Sequence, residues 1–212
     1  MTSDIVLASA SPRRKELLES LGLDFLVITS GVDEINCATG DPAELAAGLA
    51  LAKAEEVANR APGRLILGAD TVVIVDGEIL GKPADKADAR RMLALLRGRW
   101  HQVITGVTIF DTDSRASDTR TVRTRVRMAR YTDRQIEEYI VCGEPMDKAG
   151  SYAIQGQGGA LVAAVDGCYT NVVGLPVCEV VRLLRRFGVE PRAAAPVCRD
   201  ASGAPCPRLG EE

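Results

Sequence analysis

Histidine is almost missing from this chain: His101 is the only one among 212 residues. A multi-histidine zinc site, an HExxH metalloprotease or a His-rich metal cluster therefore cannot be built, and any Ser-His-Asp or Cys-His catalysis would have to use His101. A metal, if used, should be held by carboxylates, which points to a hard ion such as Mg²⁺. Lysine is scarce too, at positions 15, 53, 82, 86 and 148 only, so 21 of the 26 cationic side chains are Arg. Aromatic residues make up 4% of the chain, with one Trp and three Phe, which leaves little stacking platform for a nucleic acid. No apolar run reaches the roughly 18 residues that a membrane-spanning helix needs. Asp4 stands where a signal peptide would carry positive charge, so the expected compartment is the cytoplasm and no membrane partner is expected. The six cysteines, at 37, 142, 168, 178, 198 and 206, include no CxxC pair, and they read as reduced thiols rather than as a disulfide framework or zinc site.

What is present, 46% hydrophobic and 26% charged residues, fits one globular domain or two closely packed lobes, and excludes disorder or collagen as a description of the whole. The net charge of −3 conceals an asymmetry. Residues 1–90 carry 9 basic and 15 acidic groups, whereas residues 91–186 carry 14 and 10. An even balance can hide strong local fields, so the bulk charge decides nothing about partners.

Along the chain, Ile5 to Ala8 reads as a short strand. Ser11 is a good helix N-cap, Pro12 suits the first helical position, Leu17, Leu18 and Leu21 form a buried stripe, and Gly22 can close the helix. Asp24 to Ile28 reads as a second strand and Thr29 to Gly40 as a polar loop. Asp41-Pro42 opens an Ala/Leu-rich helix running to about Arg60 and carrying Lys53. Leu65 to Val75 is too apolar for a surface strand, and Asp76-Gly77 signals a tight hairpin to Glu78-Ile79-Leu80. Helices are expected over Asp85 to Leu96, Thr132 to Val141 and 174–187, and strands over 101–110 and 119–129. Ala149 to Gly159 is Gly-dense and expected to be irregular. Residues 1–188 are expected to form one domain and 189–212, without periodicity, a mobile tail.

Four constellations could carry chemistry. Ser9, Ser11, Arg13 and Arg14 lie where a strand feeds a helix, and hydroxyls, guanidiniums and free backbone N–H groups together make a receptor for phosphate or pyrophosphate, unless this is simply a capped surface helix. Asp70 is an acid inside an apolar strand, costly to bury unless it is paired structurally or binds a metal. Glu34 and Glu78 could supply further oxygens, and Lys53 and Lys82 stand out because the chain otherwise prefers Arg. Third, the stretch from Gly143 to Gly159 combines backbone access, the charge of Lys148 and, in Gln155, a donor and an acceptor able to read a base edge. No P-loop or Rossmann fingerprint accompanies it. Finally Arg123, Arg125 and Arg127 share one face of a strand, which is either solvated or a nucleic-acid surface.

Taken in order, these segments resemble the Maf family of nucleoside triphosphate pyrophosphatases. The resemblance runs through Leu7-Ala8-Ser9-Ala10-Ser11-Pro12-Arg13-Arg14, Gly31-Val32-Asp33-Glu34, Lys53-Ala54, Gly68-Ala69-Asp70-Thr71-Val72-Val73, Gly81-Lys82-Pro83 and His101-Gln102-Val103-Ile104-Thr105. It continues through Asp147-Lys148-Ala149-Gly150-Ser151-Tyr152-Ala153-Ile154-Gln155-Gly156 to Val173-Gly174-Leu175-Pro176, covering about residues 4–187. It implies a mixed α/β fold like that of Maf and inosine triphosphate pyrophosphatases, with an elongated, highly twisted central sheet flanked by helices and a nucleotide cleft between two lobes. It further implies hydrolysis of a nucleoside triphosphate to the monophosphate and pyrophosphate with a divalent cation, Mg²⁺ or Mn²⁺. By this resemblance Asp70 is the proton acceptor and, with Glu34, a metal ligand. Ser9, Ser11, Arg13, Arg14, Lys53, Thr71, Lys82, Lys148 and Gln155 bind substrate. Arg13, Thr71 and Gln155 match the branch acting on dTTP and UTP rather than the sister branch acting on 7-methyl-GTP. Homodimers are common in the family. At Cys168-Tyr169-Thr170-Asn171 the chain departs from a segment in which the family varies. The competing readings are a purine-directed or 7-methyl-GTP pyrophosphatase, and a nucleotide- or nucleic-acid-binding regulator of cell division in which Asp70 is structural.

Overall fold

The structure is a computed structural model that describes residues 4–32 and 40–192. Glu34, Cys37 and most of the expected tail lie outside the described residues. In chain order the elements are β1 (Ile5–Leu7), α1 (Pro12–Glu19), β2 (Phe25–Val27), α2 (Pro42–Ala58), β3 (Leu65–Val75), β4 (Glu78–Leu80), α3 (Lys86–Leu96), β5 (Trp100–Asp111), β6 (Ser117–Met128), α4 (Asp133–Val141), β7 (Val162–Asp166), α5 (Tyr169–Val173) and α6 (Val177–Arg186). The helix starts follow the sequence signals. Ser11, Asp41, Asp85 and Thr132 each cap a helix by accepting a bond from a backbone N–H of its first turn, and Thr132 and Gln135 close a reciprocal capping box. Asp76 and Gly77, both at positive φ, turn β3 into β4 through a two-residue hairpin.

The seven strands form one sheet in the order β2-β1-β3-β5-β6-β7, with β4 beside β3. β2, β1 and β3 are parallel, and the remaining pairings are antiparallel. Alternation along β3 sends Leu67, Ala69, Thr71 and Val73 to one face and Ile66, Gly68, Asp70 and Val72 to the other. On the first face two apolar clusters lie at opposite ends of the long strands. One joins Leu67, Ala69, Val107 and Ile109 to α1 and α6, and the other joins Val73, Val75 and Val103 to α3 and α4. These are the two lobes of a mixed α/β fold. Thr71 and Thr105, directly opposite each other in the register, sit where the lobes meet.

The second face carries α2, whose Ala43, Ala46, Ala50 and Ala54 are buried. Its backbone comes so close that a Cβ on Gly68 would fall on the carbonyl oxygen of Ala50, and one on Gly106 on that of Ala46. Two elements differ from the sequence expectation. The helix expected over 174–187 is α6, which starts at Val177 with Pro176 as its cap, and a short helix that was not expected, α5, precedes it and ends at Gly174, at φ +121°. β7 lies in a stretch without strand signal; its Ala163 and Ala164 are exposed, so no apolar alternation marks it. The Gly-dense stretch before β7 holds short 3₁₀ turns, with Gly150 and Gly156 at positive φ. Residues 189–192 are described, and Arg192 pairs with Asp24 at 3.0 Å. None of the helices among the described residues is long and apolar enough to cross a membrane.

Candidate active site

A gap in the sheet creates the site. β5 occupies one edge of β3 from Leu65 to Ile74. The opposite edge is taken by β1 at Leu65 to Leu67 and by β4 at Val73 to Val75, so residues 68–72 face no strand there among the described residues. The opening lies beyond the carboxyl end of β1, between the crossover through α1 to β2 and that through α2 to β3, which is where open α/β sheets place their ligands. A cleft of about 440 Å³ fills it. Because the gap runs through the sheet, it collects side chains from both faces.

From the α2 face come Asp70 and Lys53. Asp70 shares its face with Gly68 and pairs in register with Gly106, so the close approach that these glycines permit brings Lys53 onto the carboxylate. Lys53 Nζ donates to Asp70 Oδ1 at 2.6 Å, and both residues are only 6% exposed. Such burial is tolerable because the charges are paired. Lys53 lines the cleft, with Asp70 behind it.

From the other face come Thr71 and Arg14. The Arg14 guanidinium is held from three directions: Nε donates to Gly174 O at 2.9 Å, Nη1 to Ser9 Oγ at 3.2 Å and Nη2 to Thr71 Oγ1 at 3.1 Å. Ser11 accepts from Arg14 N at 3.4 Å as the α1 cap. Arg13 also lines the cleft, and its Nε is buried with no hydrogen-bond partner among the described residues. A buried donor left open in a cleft calls for a ligand acceptor.

The third wall is the loop after α4. Lys148 Nζ donates to Glu144 O at 2.7 Å and to the Asp147 carboxylate. Burial pushes the Asp147 carboxyl up, but the bond from Lys148 and the charges of Lys148 and Arg13 outweigh it and hold the group below its usual range. Gln155 and Lys82 complete this side. Arg13, Arg14, Lys53, Lys82 and Lys148 thus face the opening, and Asp147 is the one acid among the described residues lining it.

The structure therefore brings together Ser9, Ser11, Arg13, Arg14, Lys53, Thr71, Lys82, Lys148 and Gln155, with Asp70 alongside. Glu34 falls outside the described residues. Glu78 does not join them: it is exposed and paired with Arg91 at 2.6 Å, because the hairpin turns it towards α3. Arg123, Arg125 and Arg127 form a solvated face away from the cleft; Arg125 lies 4.7 Å over the Trp100 ring and reaches Asp166 at 3.4 Å. His101 is buried too, with Nε2 2.8 Å from Tyr152 Oη, and desolvation pushes it down to about 4. It does not line the cleft. Sequence reasoning gave no role to Thr105 or to the Gly174 carbonyl, which lie behind and beside Thr71; a threonine inside a strand carries no signal of its own.

No three His, Cys, Asp or Glu side chains meet in a metal-binding group among the described residues. Mg²⁺ is ordinarily held by one or two carboxylates together with substrate phosphates rather than by an all-protein cage, and an acid beside a cationic cleft suits that mode.

Fold and site together define an α/β protein with a cation-lined cleft at the carboxyl end of its first strand. Residues 4–187 match the family described as Maf-like protein, and the chain belongs to that family. It is 50% identical over 186 residues to a dTTP/UTP pyrophosphatase of Geotalea uraniireducens, spanning 88% of this chain and 96% of that protein. It is 51% identical to the dTTP/UTP pyrophosphatase of Symbiobacterium thermophilum, spanning 87% and 94%. A third protein of that name, from Dictyoglomus turgidum, is 47% identical, spanning 89% and 98%.

Proposed function

We propose that this chain is a nucleoside triphosphate pyrophosphatase that hydrolyses dTTP and UTP to the monophosphate and pyrophosphate. The observation that carries the reading is the gap beside β3, where five cations surround a cleft backed by one buried carboxylate. A triphosphate supplies the negative charge that this wall requires, and relatives about half identical over nearly their whole length bear the matching name.

In this reading Asp70 accepts the proton of the water that attacks the α-phosphorus, while the bond from Lys53 orients the carboxylate. Arg14, Lys82 and the amino end of α1 with Ser9 and Ser11 hold the triphosphate and stabilise charge on the departing pyrophosphate. Phosphoryl transfer gains chiefly from such positioning and charge neutralisation. A divalent cation such as Mg²⁺ or Mn²⁺, held by Asp70 and Glu34 with phosphate oxygens, would neutralise further phosphate charge. Arg13 Nε, Thr71 and Gln155 recognise the pyrimidine nucleoside; a uracil or thymine edge presents two carbonyl acceptors and one N–H donor, which an open guanidinium donor and a carboxamide can match. Its place of work would be the nucleotide pool of the cytoplasm.

The test is Asp70→Asn, which removes the base and leaves the shape of the cleft. Pyrophosphate release from dTTP should fall by about 10³-fold or more while calorimetry still detects nucleotide binding. Unchanged release would sink the mechanism and favour a structural role for Asp70.

A further inference from the structure

Behind the cleft a closed ring of hydrogen bonds ties Arg14 to a residue that no substrate can touch. Arginine only donates, so Thr71 Oγ1 accepts from Arg14 Nη2 at 3.1 Å. Thr105 Oγ1 lies 2.9 Å from Thr71 Oγ1 and 3.2 Å from the carbonyl oxygen of Asn171. A carbonyl cannot donate, so the single proton of Thr105 belongs to that bond, and Thr71 must donate the proton it shares with Thr105. The direction is then fixed throughout: Arg14 to Thr71, Thr71 to Thr105, Thr105 to Asn171. The Asn171 carbonyl also accepts Gly174 N at 3.0 Å, and the Gly174 carbonyl accepts Arg14 Nε at 2.9 Å, which closes the ring.

Two of the guanidinium's three anchors, those through Thr71 and Gly174, therefore converge on one peptide oxygen. Asn171 is itself clamped, its Nδ2 donating to Val103 O at 3.1 Å and to Thr124 Oγ1 at 2.9 Å, and it is fully buried. The segment Cys168 to Asn171, which had no evident role in the sequence, is thus the fixed point against which Arg14 is oriented.

We infer that Thr105, wholly buried on β5 and outside the cleft wall, is a positioning residue that fixes the Arg14 guanidinium towards the substrate phosphates. The inference rests on the reading of the cleft as a triphosphate site. With its proton held by Thr105, the Thr71 hydroxyl keeps its lone pairs turned towards Arg14. Loss of the Thr105 hydroxyl frees Thr71 to rotate and releases one of the three anchors, while the Gly174 and Ser9 anchors keep the arginine near its place. The consequence should fall on the transition state, where the orientation of charge matters most, rather than on initial binding.

The test compares the full chain with Thr105→Val, Thr105→Ser and Thr108→Val. Thr108 is equally buried on the same strand, and its hydroxyl lies 2.8 Å from Thr119 with no link to Arg14. Thr105→Val should lower kcat for dTTP by about 30-fold with KM changed less than about threefold, whereas Thr105→Ser stays within about threefold of the parent and Thr108→Val within about twofold. On an Arg14→Lys background the Thr105→Val change should add less than about twofold, because the two act through one path. Equal losses in Thr105→Val and Thr108→Val, or full additivity with Arg14→Lys, would overturn the inference. A separate readout guards against failure of the functional reading. The Arg14 Nη2–H signals in ¹⁵N NMR at low temperature, assigned by their loss in Arg14→Lys, should exchange with solvent at least about tenfold faster in Thr105→Val and at the parental rate in Thr108→Val. Absence of pyrophosphate release from the parent would refute the functional reading alone; unchanged exchange in Thr105→Val would refute the ring.

Discussion

His101 shows what one scarce residue does once its surroundings are known. Its ring is buried against Tyr152 Oη and its Nδ1 has no partner among the described residues, so desolvation lowers its pKa from the ordinary 6.5 to about 4. Above pH 6.5 the imidazole is neutral in the folded and the unfolded chain, and it contributes no pH dependence. Between pH 6.5 and 4 the unfolded chain takes up a proton that the folded one refuses, so stability is lost as the pH falls, by roughly 3 kcal/mol in all. Below about pH 4 both states are protonated and the loss is complete. Urea unfolding at pH 7.5 and pH 4.5 checks this: in His101→Gln the acid loss should be smaller than in the parent by most of that amount. Parallel pH slopes in the two proteins would contradict it. The sequence showed which chemistries one histidine forbids; that His101 is a buried neutral partner of Tyr152 depends on a contact across 51 positions, which no local pattern reveals.

Among the elements, α2 and β3 decide whether there is a site at all. Gly68 and Gly106 let the helix backbone rest on the sheet, and this approach carries Lys53 to 2.6 Å from Asp70. Gly106→Ala would drive a methyl group into the Ala46 carbonyl, which is backbone and cannot swing aside. The expected cost is about 2 kcal/mol in denaturant unfolding, with a loss of turnover out of proportion to it because α2 must lift. Unchanged stability in Gly106→Ala would show that α2 does not bear on the sheet at this point. Much at this scale was legible in the sequence. The caps at Ser11, Asp41, Asp85 and Thr132 and the Asp76-Gly77 turn are local signals, and Asp70 stood out as an acid in an apolar strand. The start of α6 at Val177 was less so, although Pro176 marks it; the short helix α5 was not expected, and β7 was not legible because its exposed alanines carry no alternation. The Lys53–Asp70 pair and the Thr105 ring were hidden for another reason: each depends on which strand lies opposite, which is fixed by the whole sheet and not by neighbours in sequence.

For the whole molecule, the net charge of −3 and the cationic cleft are compatible because the cations are gathered and the acids are spread. Arg90, Arg91, Arg99 and Arg134 are spent on exposed pairs with Glu137, Glu78, Asp76 and Glu138. Each such surface pair contributes little to stability. The cations at the cleft come from separate parts of the chain and converge only because β1 and β4 leave the middle of one edge of β3 open. The reaction proposed for this opening is hydrolysis of a pyrimidine nucleoside triphosphate between its α- and β-phosphorus. Pyrophosphate release measured with Mg²⁺ across dTTP, UTP, CTP, GTP and 7-methyl-GTP tests it most directly. Preferential turnover of dTTP and UTP, with the monophosphate as the other product, is the expected result; preference for 7-methyl-GTP, or release of single phosphate in place of pyrophosphate, would contradict it.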